Sequence, residues 1–432
     1  MRFRIKILIS ILAIALVTIF LSSCASKEEN NVVEIKFWHA WGAFEGKALE
    51  NLVEEFNKTH PHIKVKPSYF LIGDKLLAAI AGGVPPDVAT LWDWMIVAMG
   101  ESGCFIPLED RMIKDGYTKD AYLPEIWNYG VFGKHHWGVP TTLNCNAIYY
   151  NKKFVREAGL DPEKPPTNLT ELEQWTDKLN IIEPDGKIER IGFVPGSIFI
   201  WFWNFGGTVY DPLSRKMTLD HQGNINAFKW MYKIYRKVGV ENWRRFQASF
   251  GTYQSPQNPF FTGRMALRED GQWFIMFINE YASDLDYGVF PYPDVVNGGP
   301  GYTYVSGSFW GIPVGCPHPD EAWEFLSWLI APNQNARFAA ATRNIPPLRA
   351  TLNHPEFKKI VDEKFQFFID QILLGRSRYY PPLPITQLMV ESVNQQSDLV
   401  FAGKISAEEA LKKINKDLQR ELIKSFKFMG VE

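Results

Sequence analysis

The chain has 432 residues with 46 basic and 48 acidic side chains, and 46% of it is apolar. Near-neutral charge excludes the basic footprint of a nucleic-acid binder. The length exceeds what one hydrophobic core usually serves, so two domains are expected. Four widely spaced cysteines exclude both a disulfide scaffold and a CxxC metal pattern.

In chain order, the first elements are those of export. Arg2, Arg4 and Lys6 precede an apolar run from Ile7 to Leu21, the basic and hydrophobic parts of a secretory signal, too short for a comfortable membrane span. The run ends in Leu21-Ser22-Ser23-Cys24, which resembles the bacterial lipobox: small residues admit the peptidase, and the Cys24 thiol takes a diacylglycerol. The expected mature chain is a lipoprotein starting at Cys24, with residues 24–31 as a polar tether. Removing residues 1–23 leaves 43 basic against 48 acidic residues, a net charge of −5.

Val33 to Trp38 is a β-rich run, and Phe44, Ala48, Leu52 and Phe56 then follow at helical spacing until His60-Pro61 ends the pattern. Ile63 and Val65 alternate with lysines as a strand, Gly82 to Asp87 is a loop, and Val88 to Leu91 is the next strand. Strand, helix and strand alternate, which is α/β patterning with parallel strands. Pro165-Pro166-Thr167-Asn168 supplies turn and capping chemistry for a helix reaching about Leu179. Ser406 and Glu409 form a capping box, and Leu411, Ile414, Leu418 and Leu422 make one apolar, core-facing stripe. Cys104, Cys145 and Cys316 read as buried small hydrophobes; a Cys104–Cys316 bridge is chemically open outside the cytoplasm, and sequence does not decide it.

Residues 138–159, Gly-Val-Pro-Thr-Thr-Leu-Asn-Cys-Asn-Ala-Ile-Tyr-Tyr-Asn and onward, resemble the hinge-crossing segment of the family 1 extracellular solute-binding proteins that feed ATP-driven importers, typified by maltose-binding protein. Four more stretches are similar in order: Lys36 to His39, Ala81 to Val88, Phe261 to Trp273 with its Asp270-Gly271-Gln272-Trp273 ending, and Ser306 to Pro313 with the following Pro319 to Leu326. Leu169, where the family commonly has tryptophan, and His135-His136, before the hinge, depart from the pattern. The resemblance implies an α/β, two-lobe periplasmic-binding-protein-like fold of type II, with a hinge and a ligand cleft between the lobes. Residues 32–139 and 314–348 would form the N-terminal lobe, and 142–310 and 350–432 the C-terminal one. It further implies a binder rather than an enzyme, with no cofactor and no metal. Its partners would be a small-molecule sugar, expected to be an oligosaccharide, and the permease subunits of an ABC importer. The chain would act as a monomer held to the membrane by its lipid.

A sugar ring has apolar faces ringed by hydroxyls, so its receptor needs flat aromatic platforms with polar groups at their edges. Several tryptophans sit beside Asp, Asn or His: Trp38-His39-Ala40-Trp41, Trp92-Asp93-Trp94, Trp201-Phe202-Trp203-Asn204 and Asp270-Gly271-Gln272-Trp273. Trp41, Trp92, Trp203 and Trp273 are candidate platforms, and His39, Asp93 and Asp270 candidate edges. The family positions add Asn144, Ser306, Gly307, Arg343, Tyr379 and Tyr380, with glycine at 307 suiting close backbone approach to a ligand. Each competes with a structural reading, since tryptophan is more often simply buried and Asn144 or Asn146 can cap local backbone. Three rivals stand beside the sugar receptor. No local signature nominates a carboxylate pair for glycoside hydrolysis, and Gly-x-Ser-x-Gly, Walker and His-Glu-x-x-His motifs are lacking. Asp93 and Asp270 with aromatics suit a polyamine. His60-Pro61-His62 and His135-His136 suggest a metal, although neither has a nearby third ligand.

Overall fold

The computed structural model describes residues 32–70, 73–133, 135–251 and 255–430. The signal run, the lipobox with Cys24 and the tether lie outside the described residues.

Strand β1 (Val33–His39) buries Ile35, Phe37 and His39 on one face. Helix α1 (Ala43–Thr59) buries Leu49, Leu52, Val53 and Phe56, and ends where the His60 N–H donates to the Phe56 carbonyl. Strands β2 (Ile63–Tyr69) and β3 (Val88–Trp92) pair in parallel with β1, as the alternating pattern predicts. Beyond β3 the pairings turn antiparallel, apart from one short parallel pair, which that pattern did not reveal. Its further strands are β4 (Val139–Asn151), β5 (Leu267–Gly271), β6 (Tyr287–Phe290), β7 (Thr303–Gly311) and the short β8 (Ser377–Arg378). The order is β2-β1-β3-β7-β4-β5, with β6 also on β4 and β8 on β7.

Strand β4 is shared between two neighbourhoods. Its first half, from Val139 to Cys145, pairs with β7, whereas its second half pairs with β5 and β6. Because residues 148–150 pair with both β5 and β6, these strands lie on opposite edges, and β6 continues the edge that β7 leaves. Where β4 meets β7 the register shifts between Ser308 and Phe309, skipping Thr141. Pro140, which has no N–H to donate, sits at this bulge. The local hydroxyls and the freed carbonyl find partners internally: Ser308 Oγ lies 2.7 Å from Thr141 Oγ1 and 2.6 Å from Thr142 Oγ1, and Asn335 Nδ2 donates to the Thr141 carbonyl at 3.0 Å.

Two large apolar clusters flank the sheet, and the period of two along β4 distributes its side chains between them. Ala147 and Tyr149 join the cluster of β1, β3 and α1, while Ile148 and Tyr150 join that of helices 198–204, 222–238 and 407–428. Helix 169–179 is capped by Asn168, whose side chain accepts from the Glu171 N–H. The Ser406–Glu409 capping box is formed, and Leu411, Ile414, Leu418 and Leu422 are buried. Cys104, Cys145 and Cys316 are free thiols, so the Cys104–Cys316 bridge is absent. Cys145 is buried; Cys104 and Cys316 are only half-buried, with Cys316 Sγ 3.3 Å from Asp87 Oδ1.

A Cβ on Gly307, in the middle of β7, would stand 2.6 Å from the Thr142 carbonyl oxygen and 2.4 Å from Ile126 Cδ1. The glycine is thus required by the pairing of β7 with β4 and by the packing of Ile126. Overpacking of this kind costs about 1–3 kcal/mol. Gly307→Ala is expected to lower the urea midpoint accordingly, and an unchanged midpoint would show that the β4–β7 contact yields freely.

Candidate functional site

Residues of these strands converge on a cavity of about 520 Å³. From the β1 side come Ala40, Trp41 and, in the first turn of α1, Glu45. Strand β3 ends at Trp92, and helix α2 (Asp93–Glu101) begins with Asp93 and Trp94, so all three residues of this tripeptide line the cavity. Strands β4 and β7 contribute Thr142, Asn144, Tyr304, Ser306 and Gly307. The remaining lining comes from Trp273 just after β5, Phe277, Asn344, Tyr380 and Val390.

The platforms are held rigidly from behind. Trp41 meets Phe338 and Trp310 edge-on, with centroids 5.2 and 5.8 Å away, and lies 6.2 Å from Trp92. Tyr304 and Tyr380 are 4.7 Å apart, and Trp203 packs against both at 6.1 and 6.3 Å. The Trp273 ring folds over Gly271, where a Cβ would stand 1.8 Å from Trp273 Cζ3. That contact gives the glycine of Asp270-Gly271-Gln272-Trp273 its physical reason.

The two acidic groups of the cavity are nearly buried. Tyr304 and Tyr129 hydroxyls form a chain to Asp93: Tyr304 donates to Asp93 Oδ2, and the two phenols are 3.2 Å apart. Burial raises the Asp93 pKa to about 6 against the pull of these hydroxyls, and raises that of Glu45 to about 7. Among the described residues no lysine or arginine lines the cavity. Arg268 is paired with Asp270 at 2.6 Å and Arg343 with Asp362 at 3.3 Å.

Eight of the thirteen sequence candidates therefore line this one cavity: Trp41, Trp92, Asp93, Asn144, Trp273, Ser306, Gly307 and Tyr380. The other five stand outside its lining. His39 is buried between Phe37 and Tyr69, and desolvation lowers its pKa. Trp203 supports the tyrosine pair, Tyr379 packs on Tyr129, and Asp270 and Arg343 are engaged in the ion pairs above. For Gly307 the space a side chain would need is filled by Ile126 and the Thr142 carbonyl, not kept open for a ligand. The histidine groups are dispersed into local contacts: His60 stacks on Phe56, His62 pairs with Glu324, His135 with Glu109, and His136 packs on Trp127. Among the described residues no cluster of three His, Cys, Asp or Glu is placed to hold a metal.

Several lining residues escaped the sequence reading. Tyr304 and Thr142 were within reach, because they lie two positions from Ser306 and Asn144 on their strands and so share a face. Trp94 and Asn344 stand in the Trp92-Asp93-Trp94 and Arg343-Asn344 segments that sequence singles out, but only their neighbours are among its candidates. Glu45 carries no comparable signal, since an acid in the first turn of a helix is ordinary.

The Glu45 carboxyl has a pH consequence with a definite sign. Its folded pKa lies above the ordinary 4.5, so the fold retains a proton that the unfolded chain releases. That contribution is fully present below pH 4.5 and lost as pH rises through about 7. Glu45→Gln is expected to leave Tm unchanged at low pH and to raise it above that of the wild type at alkaline pH. Equal Tm values across the range would contradict the burial of an unpaired carboxyl.

Residues 44–336 match the family model of the bacterial extracellular solute-binding proteins. Over 408 residues the chain is 24% identical to the sn-glycerol-3-phosphate-binding periplasmic protein UgpB of Pectobacterium atrosepticum, covering 88% of each chain. It is similar to the structure of CpMnBP1 with mannotriose bound at a TM-score of 0.81 and 27% identity, covering 89% of this chain and 99% of that one. The sugar-binding protein MalE from Xanthomonas citri shares the fold at a TM-score of 0.71 and 21% identity, covering 93% of this chain and all of the other. The architecture is thus the two-lobe α/β fold that the hinge-like segment implied. With the family model matching most of its length, the chain belongs to the bacterial extracellular solute-binding proteins.

Proposed function

We propose that this chain is the substrate-binding lipoprotein of an ABC importer, binding a neutral oligosaccharide between its lobes and delivering it to the permease. The observation that carries the sugar class is the cavity lining: aromatic faces from Trp41, Trp92, Trp273, Tyr304 and Tyr380, polar edges from Asn144, Asn344 and Ser306, and, among the described residues, no basic side chain. Each ring face that stacks on a sugar contributes roughly 1–3 kcal/mol through area removed from water. Carboxylates accept hydrogen bonds from hydroxyls, the role assigned to Asp93 and Glu45. A phosphate ester such as the one UgpB is named for finds no countercharge in this lining and two acids instead. CpMnBP1, with mannotriose bound, supports the sugar reading.

The lobes are assigned as residues 32–139 with 314–348, and 142–310 with 350–432. A ligand touching both stabilises the closed form by its differential affinity for the two states. The protein acts as a monomer, tethered outside the cytoplasm through diacylglycerol on Cys24. Among the described residues no helix is long and apolar enough to cross a membrane. No covalent step is assigned to the cavity. The two acids among aromatics favour one second reading, a polyamine, whose ammonium groups would draw both carboxyls into ionised pairs.

A thermal-shift screen of the purified protein against manno- and malto-oligosaccharides, glycerol-3-phosphate, spermidine and divalent metals tests the assignment, because a ligand of the native state raises Tm. The expected shift is with oligosaccharides alone; a shift with spermidine alone supports the second reading, and one with glycerol-3-phosphate overturns the argument from charge. Trp273→Ala is expected to weaken oligosaccharide binding at least tenfold by calorimetry without unfolding the protein; unchanged affinity removes Trp273 from the site. Cys24→Ala is expected to release the protein from membranes on fractionation, and continued sedimentation with membranes contradicts the lipid anchor.

A further inference from the structure

Gln272 is fully buried, yet it lies between Gly271 and the cavity-lining Trp273. Its one carboxamide ties two other chain segments to its own. Oε1 accepts from the Cys145 N–H on β4 at 2.9 Å. Nε2 is 3.0 Å from Asn144 Oδ1 and 3.3 Å from Asn344 Oδ1, with the Leu143 carbonyl at 3.5 Å. Asn144 and Asn344 both line the cavity.

The orientation of these three amides follows from a single unambiguous donor. A backbone N–H cannot accept, so the Gln272 atom facing Cys145 must be oxygen, and the atom on the other branch must be NH₂. That NH₂ only donates, so Asn144 and Asn344 must turn their oxygens toward it. Their own NH₂ groups are thereby directed away from Gln272. That of Asn344 donates to Thr342 Oγ1 at 2.9 Å, whereas that of Asn144 has no protein partner among the described residues.

We propose that Gln272 is a positioning residue that sets the polarity of the site, fixing Asn144 as a hydrogen-bond donor to the bound solute. The Cys145 N–H is the origin of the relay, Gln272 its link and Asn144 Nδ2 its outlet. Opposite character enters from Asp93 and Glu45, which accept in their ionised forms. The solute must therefore offer an acceptor oxygen at Asn144, such as a ring, glycosidic or hydroxyl oxygen, and donor hydroxyls toward the acids. This deepens the oligosaccharide reading and rests on it for the identity of the solute, but not for the orientation of the amides.

Gln272→Glu tests the relay with little change of shape. Above the pKa to which burial raises this glutamate, the carboxylate still accepts from the Cys145 N–H, but its second oxygen now faces the Asn144 and Asn344 oxygens, so both amides must turn over. In the wild type, NMR hydrogen exchange of the side-chain amides is expected to show a protected Gln272 NH₂ and a fast-exchanging Asn144 NH₂. In Gln272→Glu, the Asn144 NH₂ is expected to become at least tenfold slower. An Asn144 NH₂ equally protected in both proteins overturns the relay. Calorimetry with mannotriose then gives the functional readout: Gln272→Glu is expected to weaken binding at least tenfold, and to have little further effect in an Asn144→Ala background. Equal losses in both backgrounds would mean that Gln272 acts on the fold and not through Asn144. If Gln272→Glu does not fold, Gln272→Met replaces it, with release of Asn144 from a fixed orientation read by the same exchange experiment. A wild type that does not bind mannotriose counts against the sugar reading, while the exchange result still decides the relay.

Discussion

The pairing of β4 with β7 is the constraint on which the rest of the molecule depends. These two strands run side by side past the bulge at Thr141, and β4 then goes on alone to meet β5 and β6. A strand that changes partners midway must satisfy its backbone groups at the changeover, because an unpaired buried amide or carbonyl costs as much as a lost hydrogen bond. Thr141, Thr142, Ser308 and Asn335 supply those partners locally. The same changeover puts Thr142, Asn144, Tyr304 and Ser306 beside the cavity, so the partner switch of β4 also contributes to the candidate site.

The cavity is electrostatically one-sided. Two carboxyls are desolvated within it, neither has a basic partner among the described residues, and the nearby arginines are paired elsewhere. Such groups are costly in an empty site, and a ligand rich in hydroxyls relieves that cost by donating to them. The aromatic faces contribute affinity without direction, whereas the acids and the amide of Asn144 impose direction without much net energy. A sugar meets both requirements at once. An anionic ester brings its charge to two acids.

Much of the fold was legible because its signals are local. The alternation in β1 and β2, the break at His60-Pro61, the Asn168 cap and the Ser406–Glu409 box depend on neighbouring residues, and the structure contains each of them. The antiparallel return of β7 was not legible from periodicity, since alternation states which face a residue occupies but not the direction of its partner. The site divides similarly. Trp92 with Asp93 and Trp273 announced themselves by aromatic and polar residues in sequence contact. Arg343 and Asp270 look identical to ligand-binding charges in sequence, and only three-dimensional packing reveals Asp362 and Arg268 as their partners. Glu45 was invisible for the opposite reason, because nothing local distinguishes a buried first-turn acid from an exposed one.

The most direct measurement of the central claim is a crystal structure of the protein grown with mannotriose. The account predicts sugar rings stacked on Trp273 and on the Tyr304–Tyr380 pair, an oxygen of the ligand within hydrogen-bond distance of Asn144 Nδ2, and hydroxyls directed at Asp93 and Glu45. A sugar bound on the outer surface, with the cavity between β4, β7 and Trp273 left to solvent, would contradict it.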